Sequence, residues 1–188
     1  MKTLVLGLGN TILSDDGVGI HIAEYIKDRC KNTEVLEASA AGFRVVDEMI
    51  GYNKLILIDS IITNKSTPGT LHILDPDDFS KTAHYTSPHD ISLFEAFRIV
   101  KEQDYQLPEE IMIYAVEVAD VETLSEQCTE EVQQAIPAIA ERIIEENKLK
   151  VVIDREYRLE DIVEAHRYVD SERKRGNVIV TVIKNSMV

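Results

Sequence analysis

The chain has 188 residues, 44% of them hydrophobic, enough for one α/β domain with a buried core and a small appendage. Its formal net charge of -14 leaves no basic footprint for nucleic-acid backbones or anionic membranes, though a cation, a metal or a peptide stays open as partner. Two cysteines, Cys30 and Cys128, sit outside any CxxC and read as reduced thiols of a cytoplasmic protein; the first apolar run is too short for a signal peptide or a membrane span.

In chain order, Thr3 to Leu8 is a near-continuous apolar run, as expected of a strand covered on both faces. Val18, Ile22, Tyr25 and Ile26 then recur at helical spacing. Glu34 to Leu36 is a weaker strand, and Phe43 to Ile50 reads as a helix after the Gly42 break. "KLILIDS", Lys54 to Ser60, is the strongest strand pattern. "GTLHIL" after Pro68 alternates enough for an edge or antiparallel strand. Asp90 to Lys101 reads as an amphipathic helix, Ile111 to Val118 as a strand, and Thr129 to Asn147 as a long helix interrupted early by Pro137. The alternation predicts a mostly parallel twisted sheet of about five strands with helices on both faces.

The register restarts after about Leu149, which divides the chain into a domain over residues 1–148 and an appendage over 149–188. The appendage is predicted as a strand (Val151 to Asp154), a helix (Leu159 to Lys174), a Gly176-Asn177 turn and a strand (Val178 to Ile183). Arg167, Arg173, Lys174 and Arg175 give it a basic character.

"GLGNTILSDDGVG", Gly7 to Gly19, follows the first strand, where a phosphate-binding loop is common. Gly7 and Gly9 fit the G-x-G-x-x-G pattern, but the third glycine falls on Ile12, so close helix–strand packing at that turn is not expected. Asp15 and Asp16 argue harder against nucleotide: a carboxylate about 5 Å from a phosphate costs roughly 3 kcal/mol at an effective dielectric near 20. One reading of the aspartates is structural, with Ser14 as helix N-cap and both carboxylates complementing the helix dipole. The other is that the loop is acidic because its partner is a cation.

Two further places favour the cation. In open α/β sheets ligands bind beyond the carboxyl ends of the strands, and "LILID" ends there in Asp59. "SPHD", Ser87 to Asp90, precedes a predicted helix; Pro88 fixes its approach and Asp90 can cap it, which leaves His89 to point into the crevice. Asp16, Asp59 and His89 thus come from three loops at one sheet edge. Two carboxylates and an imidazole suit a divalent transition metal.

At these residues the sequence resembles the nickel–iron hydrogenase maturation endopeptidases. The stretches that carry the resemblance are "LVLGLGNTILSDDGVG", "LILIDSI", "PGTLHIL", "SPHDISL" and "AVEVADVETLSEQCTEEVQQAIP". The resemblance implies an endopeptidase that clips the C-terminal extension from a hydrogenase large-subunit precursor after nickel loading. Nickel then arrives with the precursor, and no nucleotide is involved. The metal-binding positions fall on Asp16, Asp59 and His89, with Asp16 and Asp59 as the catalytic candidates. Gly9, Asn10, Asp15 and Gly42 are the expected substrate-binding loop. "EASAAGFR", Glu37 to Arg44, departs from the glycine–threonine loop of many members.

Two mechanisms are compatible with this set: the substrate's nickel polarises the carbonyl or a water, or a carboxylate acts as general base. A serine nucleophile is disfavoured, because Ser14 and Ser60 have no G-x-S-x-G elbow. The alternative function is a non-catalytic metal-binding or chaperone module on the same precursor. The tail "VIDREYRLEDIVEAHRYVDSERKRGNVIV" resembles the end of the medium-chain alcohol dehydrogenase and quinone oxidoreductase family, without its nucleotide loop or zinc ligands. Its last strand, "NVIVTVI", offers an edge for self-association.

Overall fold

The computed structural model describes residues 2–30, 33–39, 43–76, 100, 105–151, 153–171 and 177–181. The runs read as buried strands form one sheet: β1 (Thr3–Leu8), β2 (Glu34–Ala38), β3 (Lys54–Ile61), β4 (Leu71–Leu74) and β5 (Glu110–Glu117). Their order is β2-β1-β3-β5-β4, parallel except for β4, which pairs antiparallel with β5 at the edge.

Alternation along each strand splits the core in two. Val5, Ile56, Ile58, Tyr114 and Val116 face helix α1 (Val18–Arg29) and helix α3 (Glu130–Glu146). Leu4, Leu6, Leu55, Leu57 and Ile113 face helix α2 (Phe43–Met49), where Val45, Val46 and Met49 meet them. Each fully buried aliphatic side chain contributes on the order of 1.5–3 kcal/mol. Among the described residues no helix is long and apolar enough to cross a membrane.

Three expectations are corrected. Pro137 does not interrupt α3, which runs unbroken from Glu130 to Glu146. Both Pro137 and Gln133, whose carbonyl loses its partner, lie on the exposed face, where water serves instead. Close helix–strand packing at the glycine loop is present, supplied by Gly19 rather than by position 12. A Cβ on Gly19 would lie 2.3 Å from the Leu8 carbonyl oxygen and 2.4 Å from that of Ile58, so α1 crosses β1 and β3 backbone to backbone. In the appendage, the strand predicted over Val151 to Asp154 is shifted and longer, β6 (Ile153–Arg158). A single 3-10 turn, Leu159–Asp161, then leads into α4 (Ile162–Asp170), and β7 (Asn177–Thr181) pairs parallel with β6 in a separate two-stranded sheet.

Candidate functional site

The chain passes from β1 to β2 on one side and returns to β3 on the other, so the strand order reverses between β1 and β3. Such a switch point opens a crevice at the carboxyl ends of the two strands. The Gly7–Gly19 loop leaves β1 there, and Asp59 and Ser60 lie near the end of β3.

The two adjacent aspartates have different surroundings. They sit in a 3-10 turn, Ser14–Gly17, ahead of α1. Asp15 is 0% exposed and turns away from the crevice. Its Oδ1 accepts from the Thr129 backbone N–H at 2.6 Å and the Thr129 hydroxyl at 2.9 Å; its Oδ2 accepts from Ala119 and Asp120 N–H, both at 3.1 Å. Thr129 is the N-cap of α3, so Asp15 stitches the loop after β5 and the start of α3 to the glycine loop. The expected capping of α1 is corrected: Asp15 serves the start of α3 instead. Ser14 does not cap α1: Gly17 holds that position, and the Ser14 hydroxyl reaches the Gln127 carbonyl at 3.4 Å. Asp15 shapes the loop from inside.

Asp16 faces β3. Its Oδ1 accepts from the Ser60 hydroxyl at 3.2 Å, while the Ser60 backbone N–H donates to Asp59 Oδ1 at 2.8 Å. Ser60 thus touches both carboxylates. Asp16 is 4% and Asp59 1% exposed, so both carboxylates are buried. Burying a carboxylate costs several kcal/mol unless an opposite charge or donors compensate. Among the described residues, Asp16 accepts from a neutral hydroxyl. Two buried oxygen-donor groups of this kind fit a divalent cation.

Gly9 needs its freedom here: its φ is 139°, and a Cβ would lie 1.9 Å from the Asp16 carbonyl oxygen. Asn10 braces the same loop, its Oδ1 accepting from the Ile12 N–H at 3.2 Å. His89 and Gly42 lie outside the described residues. Among the described residues no three His, Cys, Asp or Glu side chains form a metal-holding cluster.

One group at this edge escaped the sequence reading. Glu117 ends β5 and is 2% exposed. It accepts from the Thr63 N–H at 2.8 Å, the Thr63 hydroxyl at 2.6 Å and the Asn64 N–H at 2.9 Å, and pairs with His72 Nε2 at 3.2 Å. Burial alone pushes its pKa up, but the bonds from Thr63, Asn64 and His72 outweigh it and hold Glu117 below the ordinary glutamate value. An acidic residue closing an apolar run was the available signal, the same one that singled out Asp59. Burial, aided by the charge of Asp15, pushes the Cys128 thiol up to about 11, and burial raises Cys30 too, so both stay protonated and inert. A cavity of about 610 Å³ beside Lys2, Glu34 and Lys148 lies at the opposite, amino-terminal edge of β1 and β2 and takes no part in this site.

The comparisons with known proteins point one way. A family model described as hydrogenase maturation protease matches residues 20–146. The chain is 30% identical over 105 residues to the hydrogenase 2 maturation protease of Escherichia coli K12, covering 54% of this chain and 64% of that protein, just under two thirds of its length. It is 25% identical over 150 residues to the hydrogenase expression/formation protein HupD of Rhizobium leguminosarum bv. viciae, covering 76% of this chain and 72% of that one. Among solved structures, the hydrogenase maturating endopeptidase HybD from E. coli superposes with a TM-score of 0.71 at 26% identity, covering 81% of this chain and 97% of that chain. The [NiFe] hydrogenase maturation protease HybD from Thermococcus kodakarensis shares the fold, with a TM-score of 0.68 at 24% identity, over 80% of this chain and 100% of that one.

Proposed function

The chain belongs to the hydrogenase maturation protease family, a family of peptidases, and on that premise we propose that it is a cytoplasmic endopeptidase removing the C-terminal extension of a nickel-loaded [NiFe]-hydrogenase large-subunit precursor. The observation that carries this reading is the meeting of Asp16 and Asp59 at Ser60, at the switch point of the sheet, both carboxylates being buried.

The nickel is cargo of the substrate, and its chemistry when bound is to polarise the scissile carbonyl or a water. Asp16 and Asp59, with His89, hold it and so place the peptide bond beside the carboxylates. In the alternative, where the ion serves mainly as the recognition signal, Asp16 or Asp59 takes a proton from the attacking water as the C–O bond forms and returns it to the leaving amine as the C–N bond breaks. Low exposure strengthens each of these interactions relative to water. Gly9 and Asn10 shape the loop beside the substrate, and Asp15 fixes that loop from below. No nucleotide takes part, because the Asp16 carboxylate stands beside the end of β3 where a phosphate would lie. The oxidoreductase resemblance of residues 149–188 brings no activity, and the stretch reads as a fused remnant.

Mass spectrometry of the nickel-loaded precursor after incubation tests this. A shortened precursor with the parent, and an intact one with Asp16→Asn, Asp59→Asn or His89→Ala at unchanged melting temperature, are expected. The nickel-free precursor stays intact as well. An unshortened precursor with the parent favours the docking module instead, and cleavage by all three variants refutes the site.

A further inference from the structure

We propose that Ser60 is a positioning residue that fixes the Asp16 carboxylate for the cation; this rests on the site reading above. Consecutive residues of a strand point to opposite faces of a sheet. Along β3, Ile56 and Ile58 pack on the α1 side and Leu55 and Leu57 on the α2 side. Continuing that alternation puts Ser60 on the α1 side, where Asp16 precedes the helix, and Asp59 on the other. Asp16 accordingly meets Ser60, at 3.2 Å from its hydroxyl. The same residue's N–H draws Asp59 Oδ1 back along the strand at 2.8 Å. Ser60 is the joint that turns two carboxylates on opposite faces into one site.

The chemistry of the joint is directional. A serine hydroxyl has a single hydrogen to donate. Given to Asp16 Oδ1 inside the protein, it occupies that oxygen and sets the plane of the carboxylate, which leaves Oδ2 for the cation. Ser60 is 2% exposed and locked into the ladder opposite Val116, so the hydroxyl does not exchange readily with water. A group that orients a metal-binding carboxylate typically governs affinity by about 10- to 100-fold.

The test titrates Ni2+ calorimetrically into the full-length protein and into Ser60→Ala, Ser60→Thr, Asp16→Asn and Asp59→Asn, with thermal melts alongside. Expected are about tenfold weaker binding by Ser60→Ala at an unchanged melting temperature, recovery by Ser60→Thr, which keeps the hydroxyl, and loss in both aspartate variants. Parent-like affinity in Ser60→Ala, with loss in the aspartate variants, overturns the role of Ser60 and leaves the site standing. Equal loss in Ser60→Ala and Ser60→Thr, tracking a fall in melting temperature, overturns it too, as a structural effect. Parent-like binding in both aspartate variants sinks the site reading itself.

Discussion

The body and the appendage of this chain fold on different terms. In the body, β1 and β3 are buried along nearly their whole length, and both faces of the sheet carry aliphatic clusters. In the appendage, Ala165 is the buried hydrophobic residue among those described, while Ile153, Leu159, Ile162, Val163, Val169 and Ile179 are exposed. A lone two-stranded sheet with so little burial is marginal in water. The lesson is that strand and helix patterns look alike in a sequence whether or not a core stands behind them. The site belongs to the region with the core, where buried carboxylates can be held in fixed geometry.

The largest expected effect falls on the body's buried polar stitch. Asp15→Ala strands three backbone N–H groups, at Ala119, Asp120 and Thr129. At about 1–3 kcal/mol for each unsatisfied group, and less than additively, urea unfolding should show a loss of roughly 4 kcal/mol. A loss under about 1 kcal/mol breaks the account of Asp15.

The comparison sharpens with one residue type in both regions. Ile58 is 0% and Ile153 57% exposed. Ile58→Ala should cost about 3 kcal/mol in cooperative unfolding, and Ile153→Ala within about 0.5. Equal losses would mean that the appendage shares a core with the body.

Smallest is the acid response. Because the folded pKa of Glu117 lies below its ordinary value, its contribution is complete above the unfolded value, roughly 4.3, and is lost as pH falls through the folded one. Unfolding midpoints of the parent should therefore decline more steeply below about pH 4 than those of Glu117→Gln, by about 1 kcal/mol. Parallel declines contradict the bonding described for Glu117.

The fold was legible wherever burial was continuous: the runs behind β1, β3 and β5 need apolar residues at nearly every position. Asp59 was legible for the same reason, since it interrupts an otherwise apolar run. Asp15 and Asp16 were not separable, because neighbouring carboxylates look identical until a fold sends one toward Thr129 and the other toward Ser60. Gly19 went unread as a packing residue, for its reason lies in carbonyls of two strands, one of them distant in sequence. Glu117 was missed although it closes an apolar run just as Asp59 does; its partners Thr63, Asn64 and His72 come from a different stretch. Pro137 misled because a proline's cost depends on whether its helix face is wet.

The most direct measurement is anomalous diffraction at the nickel edge from crystals of the protein grown with Ni2+. A single strong peak bounded by the carboxylates of Asp16 and Asp59, with the His89 imidazole, is the predicted result. A peak elsewhere, or none at concentrations that saturate binding in solution, would contradict it.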